Sequence, residues 1–115
     1  MSSGLSSYFK QLSPNTKVIG VEPEGAPSMS ASIQAGKNIV LDTIDNFVDG
    51  AAVKRVGNLN FLLCKENLHD MITIPEGKVC QIILDLYNKE ATVVEPAGAL
   101  SIAALDIYKE ELIGK

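Results

Sequence analysis

Read from its N-terminus, the chain alternates between helical and extended apolar patterns. Ser2, Ser3 and Ser6 offer N-caps to a short helix that reaches Gln11-Leu12, and Ser13-Pro14-Asn15 breaks it. In "KVIGVEP", Val18, Ile19 and Val21 form a short apolar run that Pro23 stops, which predicts a strand. "APSMSASIQAG" predicts a helix with Pro27 in its first turn and Gly36 just past its end. "KNIVLDTIDNFVDGAAVKRVG" keeps no period and is punctuated by Gly50 and Gly57. "NLNFLLCKENL" predicts a helix, "MITIP" a strand, and "EGKVCQIILDLYNKE" a helix opening near Glu76. "ATVVEP" predicts a third strand, and "AGALSIAALDIYKEEL" a last helix. The order is αβα, loop, αβαβα. Such alternation predicts an α/β fold with a mostly parallel sheet. The run "TVV" is apolar without alternation, as expected of a strand covered on both faces.

Two features fit a partial domain better than a complete one. No strand precedes the first helix. The helices are also apolar beyond a single face: Val79, Cys80, Ile82, Ile83, Leu84 and Leu86 crowd one of them, and "AGALSIAAL" is apolar nearly all round. Helices of this kind need partners on several sides, and three short strands cannot supply them. The expectation is one partial domain over residues 1–115, a partial three-layer αβα fold whose remaining strands are missing or come from another chain.

Bulk properties narrow the function. The length of 115 residues suits one small domain. The 46% apolar content predicts folding rather than disorder. A net charge of -4 argues against nucleic acid or an anionic membrane as partner, since either needs a basic patch. Cys64, Cys80 and His69 lack zinc-ligand spacing. Each cysteine sits in an apolar, helix-like run, which predicts two buried free thiols in a reducing cytosol. His69 falls at a helix end and suits a surface or capping role. No apolar run is long enough for a membrane span, and the N-terminus lacks a signal-peptide pattern, so a cytoplasmic protein is expected.

Candidate chemistry gathers where strands end. In open parallel sheets, ligands bind beyond the carboxyl ends of the strands. Two predicted strands end alike, at Glu22-Pro23 and at Glu95-Pro96. Each carboxylate is either a ligand-edge group or a polar terminus at which proline stops the ladder. Gly98, Ala99, Ser101, Ala103 and Ala104 suit tight helix–sheet packing or the close approach of a flat ligand. Gly50 either lets a backbone approach closely or supplies a positive φ. The nucleotide-binding glycine motifs are absent, and no nucleophile stands beside a base.

The segments "KVIGVEPEGAPSM", "FVDGAAVKRVGNLNFLLCKENL" and "EATVVEPAGALSIAAL" resemble the catalytic domain of biosynthetic threonine dehydratase (threonine ammonia-lyase). This family has the second fold type of pyridoxal-phosphate enzymes. The resemblance runs from about Ser2 to Lys115. It implies a pyridoxal 5'-phosphate cofactor and conversion of L-threonine to 2-oxobutanoate and ammonia, the reaction that opens the route to isoleucine. Gly50 matches the glycine whose backbone packs near the cofactor ring, and Glu95 the glutamate beside the cofactor. The family's Schiff-base lysine and asparagine motifs have no match in this chain. Met1 falls where the leucine of the phosphate-holding glycine loop belongs. The serine that meets the ring nitrogen would come just after Lys115. The chain therefore resembles the later part of a catalytic domain, with no regulatory domain, and alone is expected to be inactive. Its implied partners are the remainder of the catalytic domain or homologous subunits. The alternatives are a non-catalytic module that joins intact dehydratase subunits, or a related serine/threonine dehydratase or serine racemase. In serine-racemase relatives a divalent cation is held at positions matching Glu22, Ala26 and Ser28, and serine is a weaker ligand there than the usual aspartate.

Overall fold

The computed structural model describes residues 1–114. Its elements are α1 (Ser2–Leu12), β1 (Ile19–Pro23), α2 (Ser28–Ala35), α3 (Asn58–Asn67), β2 (Asp70–Ile74), α4 (Glu76–Glu90), α5 (Pro96–Leu105) and α6 (Lys109–Leu112). β1 and β2 run parallel, with Ile19 opposite Asp70 and Pro23 opposite Ile74. Parallel neighbours need a long crossover, and the segment carrying α2 and α3 supplies it.

Side chains alternate across the two strands. On one face, Val21, Ile72 and Ile74 pack with Val48, with Val79 of α4 and with Ala99, Leu100, Ala103 and Ala104 of α5. On the other face, Met71 packs with Met29 of α2 and with Phe61 and Cys64 of α3. α1 lies outside α3, tied by Asn60 Nδ2 to Ser3 Oγ (2.8 Å) and Asn67 Nδ2 to Ser7 Oγ (3.0 Å). Helices thus cover both faces of a short parallel sheet, the expected three-layer α/β arrangement.

Several local expectations need correction. Met1, not a serine, precedes α1. Ser6 and Ser7 lie inside the helix and bond back to the Ser3 carbonyl, an outlet available to serine hydroxyls in helices. Pro27 stands just before α2 rather than in its first turn, while Gly36 closes that helix in the left-handed region as predicted. Cys64 is buried, and burial pushes its thiol pKa up, but Cys80 is exposed on α4. His69 is exposed as expected.

The third strand does not form. Ala91 ends α4 with a φ of 51°, and Thr92 N donates to Leu86 O (3.1 Å). Residues 92–95 then run without strand pairing. Val94 packs on the core while Val93 is 82% exposed. A β-branched run suits a strand only where a neighbouring edge accepts its hydrogen bonds, and none of the described residues provides one.

The last helix is interrupted between Leu105 and Lys109. Asp106 pairs with Lys78 of α4. The Tyr108 hydroxyl donates to Asp70 Oδ2 (2.6 Å) at the start of β2. Burial, and then that bond, push the phenol up to about 12, and the same bond holds Asp70 below the usual carboxylate range. These contacts reach other elements, so helical periodicity in the sequence carries no trace of them.

Much apolar surface stays open: Leu5, Tyr8 and Leu12 on α1, Leu59 and Leu62 on α3, Leu84 and Tyr87 on α4. The molecule measures 40 × 38 × 21 Å, a slab rather than a ball. Its accessible surface is 7284 Å², whereas a folded monomer of this mass exposes about 6,100 Å². We expect the isolated chain to bind a hydrophobic dye strongly and to sediment in a concentration-dependent way. A dye-silent monomer with one sharp thermal transition would contradict this.

Candidate functional site

Val48 holds the turn at residues 47–51 in place. Its side chain is fully buried in the core, and its carbonyl accepts from Ala51 N and Ala52 N (2.9 Å each). Asp45 Oδ1 accepts from Phe47 N (2.8 Å), and Asp49 Oδ1 accepts from Gly50 N (2.9 Å). The turn thereby presents the exposed backbone of Gly50 to the start of α5.

The segment after α4 delivers Glu95 to the position preceding α5, with Pro96 as the first helical residue. Proline fits there because that N–H has no intrahelical partner in any case. A Cβ built on Gly50 would lie 2.9 Å from the Ala97 Cβ and 3.9 Å from each Glu95 carboxylate oxygen. Gly50 and Glu95, far apart in sequence, are therefore neighbours. The close approach explains the glycine, because its φ is not among the positive ones. Glu95 is exposed, and its carboxylate makes no hydrogen bond or ion pair among the described residues.

Glu22 shares its sequence signature with Glu95 but has different surroundings. It is 8% exposed, and its two oxygens accept from Met29 N (2.8 Å) and Ser30 N (2.9 Å) in the first turn of α2. Ala26 and Ser28 are fully buried beside it in the chain, and Ser28 Oγ has no hydrogen-bond partner. The contacts of Glu22 lead to α2, and those of Gly50 and Glu95 to α5. The five candidate residues thus form two separate groups.

The small residues of α5 divide as well. Ala99, Ala103 and Ala104 are buried against Val48, Ile74 and Val79, so tight packing explains them. Ala97 instead receives the approach of Gly50. Sequence reading missed Ala97 and Asp49. It also missed Glu76, whose Oε1 accepts from Gly25 N (2.7 Å) and ties the loop after β1 to the start of α4. An acidic residue in a first helical turn was a visible signal for Glu76; nothing in the sequence indicated its partner.

The Gly50–Glu95 pair lies on an open edge. Two shallow cavities of about 240 and 290 Å³ lie elsewhere, one lined by residues such as Lys65, His69 and Met71, the other by Asn15, Lys17, Tyr108 and Glu111. Lys10, Lys17, Lys78 and Lys89 are engaged in ion pairs, and Lys54 and Lys65 with backbone carbonyls. No lysine bonds to Glu95 among the described residues. The site as built offers a bare stretch of backbone with a carboxylate beside it. That suits the flank of a flat, polar-edged ligand.

Comparison with known proteins gives a consistent picture. The family model described as pyridoxal-phosphate dependent enzyme matches residues 1–115. The chain is 57% identical over 113 residues to L-threonine dehydratase biosynthetic IlvA of Halalkalibacterium halodurans, and 54% identical over 114 residues to that of Staphylococcus aureus. These alignments take in 98% of this chain and 27% of each relative, so the chain spans about a quarter of their length. Among solved structures, the processed form of threonine deaminase isoform 2 from Solanum lycopersicum superposes with a TM-score of 0.89 at 38% identity, covering 98% of this chain and 33% of that one. Maize serine racemase superposes with a TM-score of 0.85 at 27% identity, covering 94% and 34%.

Proposed function

Because this chain belongs to the family of pyridoxal-phosphate dependent enzymes, we propose that it forms the later, cofactor-facing part of a threonine dehydratase catalytic domain. The reaction served is the deamination of L-threonine to 2-oxobutanoate and ammonia, at the head of isoleucine synthesis. The carrying observation is the 57% identity to a biosynthetic threonine dehydratase across 98% of this chain. Among the solved structures, identity is 38% to a threonine deaminase and 27% to a serine racemase, which favours the threonine reading. Residues 1–115 then act as one partial domain, and the remainder of the catalytic domain is its partner. Two free thiols suit a reducing, cytoplasmic setting.

The residues present fit one wall of a pyridoxal-phosphate site. Gly50 leaves a stretch of backbone without a side chain, against which a flat ring can lie. Glu95 stands beside it with a carboxylate free to accept a hydrogen bond. When bound, the cofactor serves as an electron sink for the carbanion formed on the amino acid. In this reading Gly50 sets the distance of the ring from the turn, and Glu95 supplies an acceptor and a negative charge at the ring's edge. Asp49 keeps the turn in shape through Gly50 N, and Ala97 limits how far it can close. The lysine that would hold the cofactor covalently is not among the residues gathered here.

The chain by itself should therefore form no specific lysine linkage to the cofactor. Mixed with pyridoxal phosphate and reduced with borohydride, it should show slow, scattered labelling of surface lysines by peptide mapping. Stoichiometric labelling of one lysine would overturn the reading.

A further inference from the structure

The Glu-Pro ending of β1 invites comparison with the cation site of the serine-racemase relatives, yet the residues here do not fit a divalent ion. Such an ion takes six to eight oxygen ligands, carboxylates among them. Glu22 is the only carboxylate among Glu22, Ala26 and Ser28, and both of its oxygens already accept backbone N–H groups, Met29 N at 2.8 Å and Ser30 N at 2.9 Å. No group of three or more His, Cys, Asp or Glu side chains able to hold a metal occurs among the described residues. The charge of Glu22 is also already offset by the start of α2. The first turn of a helix carries a partial positive charge from its unpaired N–H groups, and Glu22 lies against that turn of α2.

We propose that Glu22 is the N-terminal cap of α2, supplied from the neighbouring strand, and that this chain anchors the helix without metal. Residue 27, where a capping side chain would normally stand, is a proline and offers no acceptor. Two orphan amides of α2 thus find their acceptor in β1, seven and eight residues back along the chain. A carboxylate that is 8% exposed is stable there because both oxygens are bonded and the helix end is of opposite sign. The neutral Ser28 hydroxyl is fully buried and unbonded, and the resemblance to serine racemases matches it to an aspartate ligand of their cation. A second negative charge at that point would need a cation, and Ser28 removes the need.

Two measurements on an assembled enzyme carrying this segment test this. Titration with calcium chloride and with magnesium chloride in a calorimeter should give no saturable heat. Thermal unfolding should be the same in either salt as in a chelator. Saturable binding of one ion per chain, or a rise in Tm of about 4 °C or more with the ion, would overturn the proposal. Hydrogen exchange then tests the cap itself. The Met29 and Ser30 amides should be protected, and Glu22→Ala should speed their exchange roughly fivefold or more, with Glu22→Gln between the two. Unchanged exchange at both amides in Glu22→Ala would refute the capping role even if no metal binds.

Discussion

Co-expressed with a fragment that carries the Schiff-base lysine and ends at the glycine loop, this chain, extended through the serine that meets the ring nitrogen, should form 2-oxobutanoate from threonine. Neither piece should do so alone. The expectation rests on what the chain has and what it exposes. It has one wall of the proposed site, Gly50 against Ala97 with Glu95 at its side. It exposes about 1,200 Å² more surface than its mass warrants, much of it on leucines and tyrosines of α1, α3 and α4. Association of two pieces must offset lost translational and rotational freedom, about 4–15 kcal/mol. An interface that resembles a divided domain core, large and apolar, is of the kind that meets such a cost. The decisive measurement is threonine-dependent 2-oxobutanoate formation by the purified pair. Soluble pieces that fail to associate at micromolar concentration would defeat the divided-domain reading.

In an assembled enzyme carrying this segment, Gly50→Ala should be far more damaging than the same change at Gly77. A Cβ on Gly50 would stand 2.9 Å from the Ala97 Cβ, closer than real Cβ atoms come, and a β-carbon cannot swing aside as a long side chain can. Either the turn or the first residues of α5 must move, and either shift changes the spacing of Gly50 and Glu95. Overpacking of this sort costs about 1–3 kcal/mol, and displacement of a positioning group by about 1 Å costs on the order of 100-fold in rate. At Gly77, in the first turn of α4, an added Cβ meets nothing within 4 Å. Alanine there should be neutral or stabilising by up to about 1 kcal/mol. Comparison of kcat/KM and Tm for the two variants decides the matter. Equal activity of Gly50→Ala and the parent would remove Gly50 from the site.

Local patterns in the sequence predicted most helices well, because each has its own signals. Gly36 closes α2, α4 opens at Glu76 as read, α3 stops one residue short of its predicted run, and β2 lies one residue earlier than predicted. What failed depends on partners distant in sequence. "TVV" has strand chemistry and, among the described residues, no edge to pair with. The final helix is helical in pattern until Asp106 and Tyr108 engage Lys78 and Asp70. The candidate site was half legible. Gly50 and Glu95 could be singled out as candidates, but their proximity depends on Val48 entering the core and drawing the turn onto α5. Glu22 and Glu95 could not be told apart by their shared Glu-Pro signature. They differ because α2 presents its amides to one, and the described residues present nothing to the other.

The register of the two strands has a kinetic consequence. Ile19 pairs with Asp70, so the first strand must wait for a partner 51 positions later, the difference of the two numbers. On a ribosome that interval is roughly 3–10 s at about 5–20 residues per second. During it β1 has no β2 to pair with, and Glu22 can already cap α2. Closing a loop of that length before any pairing reward is received also slows the search, since non-local contacts delay folding. The strand-to-helix bond is therefore available early, as a local hold on β1 during synthesis, long before it becomes part of a finished sheet.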